Sequence, residues 1–277
     1  MPIKKYESHN EQNASNPICA GPIPGAFSSK TRILHLYHDL MNLYGDWANT
    51  SVLAMELQSR GREVVVDRKS VGDDINFSDY CLIHIGSGTE RSLRACMNDI
   101  SRFRDVFLAE IENGLHVLAT GNSHELFGRT VTESGGIEYD TLCLLDFKTF
   151  HGDSRVNGDS ICKASFLPEK LIGFINRASG GQSGEIERPF TVEMGPGSDD
   201  TSFTEGIRYK NVLGTYLTGP VLVRNPPLLR YLADLLTVDT LHTGDDIYGN
   251  GLFFSSQNAA YNMALRELEE RQKRLSR

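Results

Sequence analysis

Ser123, His124 and Glu125 follow a short apolar run, Val117-Leu118-Ala119, and the turn-forming Thr120-Gly121-Asn122, and they precede Leu126-Phe127-Gly128. This pattern reads as a buried strand turning sharply into a helix, which aims one residue and several free backbone N–H groups into the crevice beyond the strand ends. It is the form of a nucleophile elbow, yet the residue at its tip is Gly121. Glycine has no side chain, so thiol attack from that position is impossible. Gly121-Asn122-Ser123-His124-Glu125 also approximates the serine elbow G-x-S-x-G, with glutamate in the last place. Ser123 therefore has two readings: a replacement nucleophile, or, with Asn122, a cap accepting a backbone N–H at the helix start. The incomplete motif favours the cap.

Four further blocks accompany the elbow in chain order. They are Leu36-Tyr37-His38-Asp39-Leu40-Met41-Asn42-Leu43-Tyr44-Gly45-Asp46, then Gly86-Ser87-Gly88-Thr89-Glu90-Arg91, then Gly173-Phe174-Ile175-Asn176, and finally the long run from Thr204-Glu205-Gly206 through Asn211-Val212 and Gly214-Thr215-Tyr216 to Thr218-Gly219-Pro220. Together they resemble the cobyric-acid-synthase-like class I glutamine amidotransferases. Among these, the chain looks most like the GatD-type glutaminase subunits that work with a MurT-type ligase on the peptidoglycan precursor lipid II. The family's corresponding patterns are G-G-G-x-D-R for the glycine loop, A-I-C-G-G-Y-Q-L-L-G for the elbow, G-F-E-N, and T-E-G-x-x-x-x-N-V-x-G-T-Y-L-H-G-P. The resemblance covers residues 32–236.

The resemblance implies a reaction in which a cysteine attacks the glutamine side-chain amide and a histidine shuttles the proton. Carried over position by position, that cysteine falls on Gly121 and that histidine on Thr218. Threonine has no useful basicity near neutral pH. Both halves of the dyad are absent, at positions far apart in the chain, and the simplest reading is a pseudo-amidotransferase. Two functions follow from the resemblance. One is a non-hydrolysing GatD-like subunit that supports a MurT-like Mur ligase as a heterodimer; the other is an active hydrolase of glutamine or another amide through an unrecognised residue such as Ser123.

What remains of the implied site offers binding groups. Gly86, Ser87, Gly88 and Arg91 from the glycine loop, with Gly121 and Asn122 from the elbow, are the candidate ligand contacts. Close backbone approach at the two loop glycines and free N–H groups at the helix start would suit glutamine, a carboxylate, a phosphate or a sulfate. Equally, Gly86 and Gly88 serve to permit tight turns at strand ends.

The five cysteines, Cys19, Cys81, Cys96, Cys143 and Cys162, include no C-x-x-C pair, and their scattered odd count suits a reducing cytoplasm. Cys81 and Cys143 lie in apolar runs that read as strands, where a thiol is usually a small core residue. His242 with Asp245 and Asp246, and His151 with Asp153, place N and O ligands close together without completing a set, so no metal is expected. No P-loop lysine motif is present; no cofactor is expected, and ATP chemistry would belong to a partner chain.

Elements to position these groups are readable. The pattern predicts strands at 32–37, 63–67, 80–85 and 115–119, helices at 47–60 and 91–113, and a helix after Ser123, which makes an α/β fold with a doubly wound, largely parallel sheet flanked by helices. From Thr141 onward shorter strands are expected, with an exposed loop or hairpin region at 179–206. A return strand at 211–216 should carry Thr218 to the crevice beside Gly121, and Pro226-Pro227 should open a helix to about Leu236. Residues 1–30, rich in Asn, Ser, Pro and Gly, read as a disordered leader, 31–237 as the amidotransferase-like domain, and 238–277 as an extension ending in an exposed helix. In that helix Glu267 and Arg271, Glu269 and Lys273, and Glu270 and Arg274 stand at the i, i+4 spacing.

With 277 residues and 39% apolar content the chain can bury a large core, and no apolar run reaches the length of a membrane span. A net charge of −8 argues against general binding to nucleic acid or anionic membrane. The expected partners are proteins, and the expected location is cytoplasmic.

Overall fold

The computed structural model describes residues 30–237 and 252–275. Its first half alternates strand and helix: β1 (Lys30–Leu36), α1 (Trp47–Ser59), β2 (Glu63–Lys69), β3 (Leu82–Ile85), α2 (Glu90–Ile100), α3 (Arg104–Glu112) and β4 (His116–Thr120). A 3-10 turn, Gly121–Phe127, leads into β5 (Thr130–Thr132), β6 (Glu138–Asp140), β7 (Lys148–Ala164), β8 (Lys170–Ser183), β9 (Phe190–Met194) and β10 (Thr204–Glu205). The chain then forms β11 (Ile207–Tyr209) and β12 (Val212–Thr215), and closes with α4 (Val221–Arg224), α5 (Pro226–Leu235) and α6 (Leu252–Leu275).

The first sheet has the order β11-β12-β4-β3-β1-β2, parallel throughout except for β11. β3, β4 and β12 are buried at every position, as strands covered on both faces must be. Consecutive residues face opposite layers: Ile83 and Val117 pack with Phe107 and Phe127, whereas Leu82 and Leu118 pack with Leu53 and Leu229. The strand order reverses between β1 and β3, so the crevice beyond their carboxyl ends is where this topology places a ligand.

The second sheet, β10-β9-β7-β5-β6 with β8 on β7, is antiparallel except for the β5–β7 pair. Here the expectation of shortening strands fails, because β7 and β8, at 17 and 14 residues, are the longest in the described chain. Their glycines and polar residues suggest loop, but a long antiparallel ladder satisfies its own backbone and tolerates them. The 179–206 region contains the end of β8 together with β9 and β10 as well as loop.

Other departures are local. The single helix expected over 91–113 is broken by a 3-10 turn at Ser101–Phe103, which lets Phe103 and Phe107 both pack on Phe77. Cys143 is an exposed residue with a φ of 55°, outside any strand, so its apolar neighbours misstate its surroundings. The C-terminal helix starts earlier than expected and is not simply solvated: Tyr261 and Leu268 pack against Ile161 and Ile172. Glu269 pairs with Lys170 and Arg271 with Asp159, so these charges face the second sheet rather than their expected i, i+4 partners. Residues 1–29, where a leader was expected, and the His242, Asp245 and Asp246 group lie outside the described residues.

Candidate functional site

The elbow is built as its sequence demands, with one difference in kind. β4 runs straight into the 3-10 turn at Gly121, whose φ is +62°, a conformation that L side chains rarely adopt. The turn is only seven residues long and tighter than the α-helix expected there. Ser123 does not cap it by accepting an N–H. Its hydroxyl is fully buried and hydrogen-bonds to the carbonyls of Thr120 and Ile85, each at 2.9 Å, which ties β4 to β3. A serine held this way is not exposed to a substrate, and its hydroxyl is committed to two backbone carbonyls.

The space a nucleophile would need is already filled. A Cβ on Gly121 would lie 2.6 Å from the Ser87 Cβ and closer still to its Oγ, whereas real Cβ atoms keep more than 3.0 Å away. Ser87 is itself buried and lies 3.4 Å from Asp46 Oδ1, which accepts a 2.8 Å bond from the Thr120 hydroxyl. Gly86 is needed for packing, since a Cβ there would sit 2.5 Å from the Asp46 Cβ and overlap the Met41 carbonyl. The amide of Gly88 donates to Asn122 Oδ1 at 3.0 Å, so a side chain of the elbow already occupies this loop donor.

Around these residues lies a crevice of about 20 Å³, lined by Tyr44, Ser87, Gly88, Gly121, Asn122 and Glu125 among others. That is room for roughly one water molecule. Ser87, Gly88, Gly121 and Asn122 are thus brought together as the sequence suggested; Gly86 and Arg91 are not among its lining, and Arg91 is exposed. Thr218 is not in the lining either. Its backbone pairs with Phe174 of β8 and its hydroxyl donates to the Phe174 carbonyl at 2.6 Å, so β8 takes up the residue expected at the crevice. A larger hollow of about 510 Å³ lies elsewhere, between α1, α5 and α6, and shares no residue with the crevice.

Sequence reasoning missed a buried polar cluster of the crevice. Glu125 is buried and bridges Tyr216 Oη at 2.7 Å and His151 Nε2 at 2.8 Å. Burial pulls the His151 pKa down, but the Glu125 hydrogen bond and charge, with Glu90 and Glu133 nearby, outweigh it and hold the pKa above the ordinary histidine value. The preceding residue of the turn, His124, is driven the other way by burial, to about 4, and bonds to the Gly121 carbonyl and to Gln182. His151 thus serves as a partner of Glu125 rather than as half of a metal site, and among the described residues no group of three His, Cys, Asp or Glu side chains could hold a metal ion. Arg155 and Asn176 complete the rim. The available signal was small: Glu125 occupies the place of glutamine in the elbow pattern, and Asn176 ends the Gly173-Phe174-Ile175-Asn176 block.

Among the described residues no helix is long and apolar enough to cross a membrane. Comparison with known proteins agrees with the motif blocks. Residues 32–226 match the family model of the CobB/CobQ-like glutamine amidotransferase domain. The GatD subunit of the glutamine-hydrolyzing lipid II isoglutaminyl synthase from Staphylococcus aureus (strain N315) is 30% identical over 203 residues, covering 73% of this chain and 82% of that one. The corresponding subunit from Streptococcus pneumoniae (strain ATCC BAA-255 / R6) is 29% identical over 206 residues, covering 74% and 79%. A solved structure described as a glutamine amidotransferase overlays with a TM-score of 0.47 at 16% identity, covering 73% of this chain and 97% of that one.

Proposed function

The chain belongs to the CobB/CobQ-like glutamine amidotransferase family, and from that premise we propose that it is a GatD-like subunit that supports a MurT-like ligase in lipid II amidation without itself hydrolysing glutamine. The observation that carries this reading is Ser87 filling the volume a nucleophile at position 121 would occupy. Replacement of the nucleophile by glycine alone would leave a hole; here the neighbouring loop has closed it. The absent base fits the same reading, because Thr218 Oγ1 is committed to the β8 backbone. So does a crevice of about 20 Å³, far smaller than the few hundred Å³ typical of pockets that bury a small molecule.

In this role the protein contributes surface and fold rather than chemistry. The ligase partner would draw on free ammonia, and a cytoplasmic location fits such an assembly. The test is glutamate release from glutamine by the purified chain, alone and mixed with a MurT-like ligase from the same organism, together with size-exclusion analysis of the mixture. Co-elution without glutamate release, with amidation that needs added ammonium, is the expected outcome. Glutamate release in either sample overturns the reading.

A further inference from the structure

The crevice lies between two walls that belong to different sheets. One wall is the elbow with the loop after β1 and the loop after β3 up to the start of α2; the other is the β7–β8 ladder. The five residues of β7 from His151 to Arg155 stand opposite three of β8, from Gly180 to Ala178, so a bulge interrupts the ladder at this point. Both ends of the bulge face the crevice, where His151 and Arg155 line it.

Arg155 spans the mouth. Its Nη1 donates to Glu90 Oε1 at 2.6 Å on the first wall, while its Nε and Nη2 hold Asn176 Oδ1 at 2.7 Å and the Asn176 carbonyl at 3.0 Å on the second. Asn176 in turn donates to Tyr44 Oη at 2.8 Å, back on the first wall. Beneath this bridge, Ser87 is almost completely shielded from solvent, although the Arg155 and Glu90 side chains above it are 46% and 40% exposed. Deeper in, the His151–Glu125 bond makes a second tie, and that one is buried.

We propose that Arg155 is a latch: its bridge between Glu90 and Asn176 keeps the crevice closed, and releasing it exposes the elbow and the glycine loop to solvent. The inference stands whether or not the chain hydrolyses glutamine, because it concerns access alone. An exposed ion pair is salt-sensitive and individually modest, so the closed state is the favoured one without being locked.

Labelling of a Ser87→Cys variant with a maleimide, resolved by peptide mass spectrometry, tests this. The native thiols serve as internal standards: Cys143 is exposed, and Cys96 and Cys162 are buried monitors of global unfolding. Slow labelling at position 87 is expected in the parent, rising about tenfold with Arg155→Ala and with Glu90→Gln, while Cys143, Cys96 and Cys162 keep their rates. Unchanged labelling at position 87 in both backgrounds, with Cys96 and Cys162 still protected, overturns the latch. Should Arg155→Ala unfold the protein, Cys96 and Cys162 will label together with position 87, and Glu90→Gln and a salt titration of the Ser87→Cys parent then decide. A rate at position 87 that rises under either supports the latch; a rate flat under both overturns it.

Discussion

The Cβ that Gly121 lacks would lie 2.6 Å from the Cβ of Ser87. Two residues 34 positions apart in the chain are therefore matched: the glycine has no room to be anything else while the serine is present. The parallel register of β3 and β4, with Ile85 beside Ala119, brings the two following loops together and creates this coupling.

Gly121→Cys alone should release no glutamate from glutamine, and it should destabilise the fold by about 2–4 kcal/mol from the left-handed backbone and the overlap with Ser87. Adding Ser87→Gly should recover the overlap part and leave the backbone part. Urea unfolding of the two variants measures this, and equal stability of the single and double variants would contradict the coupling.

Ser123→Ala should behave as a structural change. The hydroxyl bonds to the Ile85 and Thr120 carbonyls, so its removal should cost about 1 kcal/mol and leave ligase association untouched. A change in any hydrolytic rate without a change in stability would instead place the residue in chemistry.

Glu205 is fully buried, and burial raises its pKa from 4.5 to about 7 despite hydrogen bonds from Thr215 Oγ1 and the Tyr216 amide and the nearby charge of Arg188. Between those two values the folded state holds a proton that the unfolded state has lost, so this group makes stability fall as pH rises from about 4.5 to about 7, by roughly 1.4 kcal/mol per unit at most. His35, His116 and His124, buried with pKa values lowered to about 3, 4 and 4, act in the opposite direction below pH 6.5. The informative quantity is therefore the difference between Glu205→Gln and the parent. Urea midpoints from pH 5 to 8 should converge near pH 5 and separate in favour of the variant toward pH 7, and parallel profiles would show that Glu205 does not titrate there.

His151 acts in a different window. Its folded pKa is raised by Glu125, so the stabilisation is complete below the unfolded value near 6.5 and is lost as pH rises through the folded pKa. Glu125→Gln keeps a polar partner for Tyr216 and His151 but removes the charge, and should flatten the stability decline above about pH 6.5. The imidazole proton resonances of His151 should report a lower pKa in the variant; an unchanged titration would mean that Glu125 does not set it.

Much of the first sheet is legible in the sequence because its strands are short apolar runs separated by helical stretches. The predicted edges of β1, α1, β2, β3 and β4 fall within a few residues of the observed ones. The β7–β8 ladder was not legible, since residues such as Asn157, Gly158, Asp159, Gly180 and Gly181 carry the composition of loops, and only pairing across the ladder makes them strand. Cys143 illustrates the converse, an apolar context without burial.

By itself, then, the sequence determined that glycine stands at position 121 and threonine at position 218, so that neither can present a thiol or an imidazole, because side-chain chemistry belongs to the residue and needs no neighbour. Only the tertiary structure decided what surrounds them. That Ser87 fills the vacated volume, that Asn122 occupies the Gly88 amide, and that Glu125 meets His151 beneath the Arg155 bridge all depend on groups from separate loops and two sheets meeting at ångström range. Sequence spacing does not specify those distances; close packing does, because in a dense interior a missing side chain is replaced by whichever neighbour the fold holds nearest.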